Sequence, residues 1–563
     1  MANDAKIKSD LFHGDFNNTG NLIKFVFRRE RFMTTAWILI LVVFAMGVAP
    51  AMANMFPDAA SRTEFATTFN NPIMIAMMGP VYGVDNYTAG AMYGGLMLLW
   101  YAMAVAIMNI FLVVRHTRAD EQAGRVEVVR SLPTGRLANL NATMISAVII
   151  NAILGVLTGL GLAILGLEDM GFAGSMAFGL SSAAVGLVFA SIAAVFSQIT
   201  SNASGATGMS FASIGLFYMI RAAGDMQGNE IVSCISPLGL VLRTQSYVQN
   251  NIWPSLLLVA IAIVLSAVAY KLNSIRDLGQ GFIAAKPGRA TASPLLRSPF
   301  GLTWRLLRTM LITWAIVMFV LGASYASVIG EISSFIGDSP EYLTVIGVPV
   351  EVLDTLSEAD KSRFIVEQFG TFVTLMMTLV AIVPLIGAVM KMRTEEREGR
   401  AENVLTRAVR RCKYTQGFVV LAFVASAVIQ FLTASGLYLT AASVTSAAGT
   451  ENPFTFIELM KSFFAFLPAL WIMIGFAVLI IGLLPKATGV VWGYFGVVVF
   501  TSFMGRLVFP DWLMNITPLH FVSQPVPLQD FTIDYTPLII MTGIAAVMTA
   551  VGVIAYAKRD MVT

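Results

Sequence analysis

RADEQAGRVE, residues 118–127, follows one long apolar run, and RTEEREGRAE, residues 393–402, follows another. The decamers match at Arg118/Arg393, Asp120/Glu395, Glu121/Glu396, Gly124/Gly399, Arg125/Arg400 and Glu127/Glu402, all at one offset of 275 residues. An otherwise greasy chain therefore carries the same charged segment twice, about half its length apart. What flanks the two copies decides the fold.

The chain is 57% hydrophobic and only 12% charged, with a mean hydropathy of +0.75. A soluble domain carries about a quarter charged residues, so this chain cannot cover itself with a polar surface. Repeated apolar runs of about 20 residues point to an all-α integral membrane protein rather than a barrel. Spans are expected near 33–53, 91–114, 140–163, 177–198, 206–222 and 252–271, then near 309–329, 370–391, 417–446, 463–484, 487–505 and 536–557. LIKFVFRRERF (22–32) reads as a short interfacial helix leading into the first span. The polar opening MANDAKIKSDLFHGDFNNTG has no apolar core and does not read as a signal peptide.

With the N-terminus taken as cytoplasmic, 29 of the 36 Lys and Arg fall on the inner side and 7 on the outer. Cytoplasmic enrichment in Lys and Arg is the rule for helical membrane proteins. The expected location is a bacterial cytoplasmic membrane, crossed many times, with both termini inside. Cys234 and Cys412 then lie on opposite sides, and no Cys/His cluster suggests a metal. His116 reads as a solvated loop residue.

Other features recur with the decamers. ISPLGL (235–240) precedes the sixth span and ITPLHF (516–521) the twelfth, and each half ends in Arg-Asp, at Arg276-Asp277 and Arg559-Asp560. The chain therefore reads as two six-span halves, 1–285 and 286–563, with charged loops at 115–138 and 391–416. Six is even, so the halves are expected to be parallel repeats about a pseudo-two-fold axis along the membrane normal. Within the decamers, Glu121 and Arg125 are four apart, as are Glu396 and Arg400, a spacing that favours a helix. Gly124 and Gly399 oppose it and suggest a tight turn or a close approach. A charged inner loop often serves only to set topology. That role needs Lys and Arg alone, and does not need Glu, Gly and Arg in fixed order.

E-x-x-G-R-x-E followed by V-x-x-L-P-T-G-R (129–136) resembles the coupling loop of type-2 ATP-binding-cassette exporter permeases. The duplication in one chain, with ISPLG and RDLGQG (276–281), resembles the tetronasin-type permeases, which export polyether antibiotics or other drugs from Gram-positive bacteria. The resemblance covers most of the chain. It implies that Asp120, Glu121, Gly124, Arg125 and Glu127 contact one ATPase subunit, and that Glu395, Glu396, Gly399, Arg400 and Glu402 contact a second. It also implies that the Pro237 and Pro518 segments close an external mouth, although both prolines read equally as turns that start a helix. The second copy has Ala408 where the first has Pro133, so the two loops can end differently.

No phosphate-cradling G-x-x-x-x-G-K-[ST] occurs in the 563 residues. A pump built on this chain needs ATP and Mg bound by a separate ATPase, present in two copies, and the chain itself carries no cofactor and no enzyme activity. The rival, an ion-driven carrier, requires ionisable groups at membrane depth, and the expected spans are nearly free of them. Arg221 and Asp225 lie at a span end, and Glu168 and Asp169 in a loop. The same lack of buried charge points to a hydrophobic or amphiphilic cargo such as a polyether, with a lipid, peptide or glycan precursor as the alternative; nucleic acid is not an expected partner. The resemblance places the first, second and fifth spans of each half nearest the axis. Met97, Tyr101, Met108, Phe211 and Tyr218, with Met376, Met377 and Phe495, are the candidate pathway residues, since Met-rich surfaces adapt to varied apolar ligands.

Overall fold

The computed structural model describes residues 14–70, 72–167, 169–283, 291–326, 357–407, 409–448, 452, 454–508, 514–522 and 533–560. Among them the regular elements are all helical. A backbone in hydrocarbon has no water to bond, so apolar runs satisfy their N–H and C=O groups along their own helix. Among the described residues, eleven helices are long and apolar enough to cross a membrane.

The chain divides into two compact units, Met1–Gly288 and Arg289–Thr563. Unit 1 contains α1 (Thr19–Met55), α2 (Ala89–His116), α3 (Ala138–Ile164), α4 (Phe172–Ile199), α5 (Ala203–Met226) and α6 (Trp253–Ile275). Unit 2 contains α7 (Pro299–Ala326), α8 (Glu358–Arg397), α9 (Arg411–Ala448), α10 (Phe456–Leu483), α11 (Gly489–Val508) and α12 (Tyr535–Lys558). The apolar part of α11 is shorter than the rest, Gly489–Ser502, and α10 is interrupted at Phe466, just before Pro468.

One expectation is corrected at the start of the chain. Residues 22–32 do not form a separate interfacial helix; they are the first turns of α1, which runs unbroken for 37 residues. No glycine, proline or capping residue stands between 22 and 33 to end a helix. At 1.5 Å per residue α1 exceeds the roughly 30 Å hydrocarbon core, which leaves its basic first turns beyond it.

In unit 1, α4 is the most enclosed helix and packs on α2, α3 and α6, while α1 packs on α3. In unit 2, α10 packs on α8, α9 and α12, while α7 packs on α9. Small residues set these contacts. A Cβ on Gly179 of α4 would overlap the Gly155 carbonyl of α3, and one on Gly482 of α10 the Gly552 carbonyl of α12. With lipid on every side there is no hydrophobic gain from helix contact, so close backbone approach and interhelical hydrogen bonds do that work. One such bond set joins α2 to α3. Asn109 donates to Asn151 at 2.9 Å and Asn151 to Asn109 at 2.7 Å, and each amide also donates to a carbonyl of its own helix.

The connections lie at the two ends of each unit. In unit 1 the decamer end carries the link from α2 to α3 and the segment after α6. The opposite end carries short helices Ala59–Phe69, Pro72–Met78, Glu230–Ile235 and Pro237–Leu242.

Candidate functional site

The first decamer forms two short helices with a sharp turn between them. Arg118–Gln122 is followed by Gly124 at φ 71, then by Arg125–Arg130. Nothing lies within 4 Å of where a Gly124 Cβ would stand, so glycine is required by the left-handed backbone and not by space. This turn corrects the helical reading of the segment: Glu121 and Arg125 do not pair. Arg125 instead reaches Asp120 at 2.7 Å, and Glu121 faces the other way.

Glu121 is held inside unit 1. Arg276, just past the end of α6, donates to both of its oxygens at 2.8 and 2.7 Å, and the Gly279 N–H adds a bond at 2.6 Å. Arg118 closes from behind at 3.0 Å. Arg276 is itself fixed by Gln198 of α4, which accepts from its Nε at 3.1 Å, and by the Gln280 carbonyl. At the far end of the loop, Arg136 donates to the Arg276 carbonyl at 2.9 Å. The loop thus grips one residue at both its ends, side chain at one and backbone at the other.

Asp120 ties the loop to α1 through Arg29. His116 is 2% exposed, not solvated: its Nε2 meets Glu30 of α1 at 2.9 Å, because the unbroken α1 carries Glu30 alongside the end of α2.

The second decamer is built alike within unit 2. Gly399 has φ 70 and precedes the short helix Arg400–Leu405. Arg559, at the end of α12, donates to Glu396 at 2.6 Å, Arg393 approaches the same oxygen at 3.2 Å, and Arg411 donates to the Arg559 carbonyl at 2.6 Å. Arg400 makes two bonds of 2.7 Å to Glu395, which raise its guanidinium pKa above the ordinary value. The second partner of Glu395 is Lys391, from its own helix, at 3.0 Å. Ala408 lies outside the described residues.

The ten decamer residues therefore separate by direction. Asp120, Glu121, Glu395 and Glu396 are turned inward onto arginines, the two glycines make the turns, and Arg125, Glu127, Arg400 and Glu402 are exposed. Sequence patterns alone do not single out Arg136, Arg276, Arg411 and Arg559 as functional. The recurring Arg-Asp is visible there, but only as a landmark.

Tyr101 and Met108 lie in the packed interior of unit 1, with Met97, Phe211 and Tyr218 at its margin. Tyr101 shares a 2.6 Å hydrogen bond with Thr158 of α3, Phe211 sits edge-on to Phe111, and Tyr218 donates to the Met77 carbonyl. On α8, Met377 is buried and Met376 half-buried, and on α11 Phe495 is half-buried against Trp492. Pro237 opens the buried helix Pro237–Leu242 and Pro518 the 3-10 turn Pro518–Phe521, positions where a missing N–H costs nothing. Arg221, fully buried on α5, donates to the Ile75 and Ala76 carbonyls and pairs with Asp225. Among the described residues there is no group of three or more His, Cys, Asp or Glu that could hold a metal ion.

Residues 21–271 and 296–557 match the family described as multidrug efflux system permease Rv1217c, C-terminal domain. The chain is 31% identical over 549 residues to the multidrug efflux system permease protein Rv1217c of Mycobacterium tuberculosis, a match spanning 97% of this chain and 96% of that protein.

Proposed function

We propose, for a chain that belongs to the family of the multidrug efflux system permease Rv1217c, that it is driven by a separate ATP-binding-cassette ATPase gripping the two decamer loops. The chain is a permease component of a multidrug exporter, a multi-pass membrane protein and a transporter subunit rather than an enzyme. In this reading α11 completes twelve spans, arranged as two parallel repeats in the cytoplasmic membrane with both decamer ends and both termini inside. ATP and Mg belong to the ATPase, two copies of which take one loop each.

One observation carries the reading. In each unit the loop is clamped by a buried ion pair to the residue at the end of the last long helix, Glu121 to Arg276 and Glu396 to Arg559. A load applied to the exposed Arg125 and Glu127, or Arg400 and Glu402, reaches α6 or α12 through charge-assisted bonds with no slack segment between. The cargo is hydrophobic or amphiphilic, a polyether ionophore or similar drug, moving past Met97, Tyr101, Met108, Phe211 and Tyr218 and past Met376, Met377 and Phe495. The Pro237 and Pro518 turns form the outer closure.

Reconstitution tests this. Purified chain in liposomes should move a lipophilic drug only when the ATPase and ATP are both supplied. Drug movement under a proton or sodium gradient alone would replace the motor with an ion-driven carrier.

A further inference from the structure

At the decamer end of unit 1 a narrow cleft, open to solvent, is lined by Arg130, Arg136 and Arg276 together with Glu121, Gln198 and Asn273. Its charges do not balance. Glu121 is the one carboxylate in the lining, and it is committed to Arg276. Among the described residues, Arg130 and Arg136 are held by neutral groups only: Arg130 donates to the Arg136 carbonyl at 3.2 Å, and Arg136 to the Arg276 carbonyl. Burial pushes the Arg130 guanidinium below its usual range; Glu121 opposes this, and Arg136 and Arg276 add to it. Guanidiniums crowded in this way are satisfied by an anion that accepts forked hydrogen bonds.

Two further observations identify the anion. The cleft adjoins the last turn of α6, where the membrane span ends. Apolar side chains adjoin its arginines: half-exposed Leu278 lines the cleft itself, and exposed Ile275 directly precedes Arg276. A free phosphate would leave these apolar groups in water, whereas a phosphate bearing acyl chains would cover them. Basic pockets at the ends of membrane helices suit anionic headgroups for this reason. Unit 2 lacks the leading arginine. Leu405 closes the short helix Arg400–Leu405, where Arg130 closes Arg125–Arg130.

We propose that this cleft binds the phosphate of an anionic membrane lipid, with Arg130 and Arg136 as its ligands and the clamped Arg276 as the fixed wall. The assignment rests on the membrane helices and does not require the ATPase. Bound lipid would brace the first coupling loop alone, which makes the two loops unequal.

The test uses delipidated full chain in neutral detergent, titrated with short-chain phosphatidylglycerol and phosphatidylcholine and read by native mass spectrometry. Phosphatidylglycerol should bind several-fold tighter. Arg130→Leu, the residue of unit 2, should weaken it roughly tenfold, the loss of one charge-assisted contact, and leave phosphatidylcholine unchanged. Arg130→Lys should keep most of the affinity, and Arg136→Gln serves if Arg130→Leu does not fold. Equal binding of the two lipids, or phosphatidylglycerol binding that neither substitution alters, overturns the proposal. So does displacement of the lipid by inorganic phosphate alone, which marks a free-anion site. Loss of ATPase affinity in Arg130→Leu with lipid binding intact also overturns it, since the arginines would then serve a protein partner.

Discussion

Glu121 and Arg276 are 155 residues apart in the chain and meet through two hydrogen bonds, of 2.8 and 2.7 Å. Glu396 and Arg559, 163 residues apart, meet at 2.6 Å. Both glutamates stand in the same slot of a repeated decamer, and both arginines follow the last long helix of their unit. The glutamates therefore fasten the loops, while Arg125, Glu127, Arg400 and Glu402 beside them are exposed.

Breaking this pair from one side should cost more than removing it whole. The side chains of Glu121 and Arg276 are 7% and 6% exposed. Glu121→Gln or Arg276→Gln strands a buried charge, so each should cost about 3 kcal/mol. The double variant should lose clearly less than the sum. Thermal unfolding in detergent checks this, and additive losses would show that the two groups are not coupled.

The glycine turns make a separate prediction. Gly124→Ala and Gly399→Ala should each cost about 1–2 kcal/mol, because alanine resists a left-handed backbone. Asparagine should be milder there. Melting temperatures ranked Gly, Asn, Ala support the backbone account. A ranking by side-chain size would contradict it, since a Cβ at either place meets nothing within 4 Å.

Outward charges should separate partner binding from folding. Glu127→Lys and Glu402→Lys lie on exposed faces, and should change stability by no more than about 0.5 kcal/mol. Co-purification of the ATPase should nevertheless fall. Charge reversal at Glu121 or Glu396 should lower stability first and uncouple transport as a consequence. Undiminished ATPase capture by the doubly reversed Glu127/Glu402 variant would remove these loops as the docking site.

The amide pair inside unit 1 should behave as one unit. Asn109→Ala or Asn151→Ala leaves the other amide short of a partner at membrane depth, at a cost of about 1 kcal/mol. Replacing both with leucine should cost less than the two single losses together. Gly186→Ala should destabilise as well, because its Cβ would strike both amides. Thermal unfolding of the four variants decides the matter.

Much of the candidate site is legible in the sequence. The decamer repeat marks the loops, and the paired glycines mark a turn. The i,i+4 spacing misleads because Gly124 ends the helix between Glu121 and Arg125. His116 looks solvated because its partner, Glu30, sits 86 residues away on a helix whose unbroken length the local pattern does not reveal.

The sequence by itself determined that this chain lives in a membrane, where its helices run and which loops are charged. Those are local properties, set by whether some 20 consecutive residues can leave water. The tertiary structure alone decided which charges face inward. Glu121 and Glu396 also take the guanidiniums that the packing of other helices brings within about 3 Å, Arg276 and Arg559, and no short window along the chain contains either of those pairs.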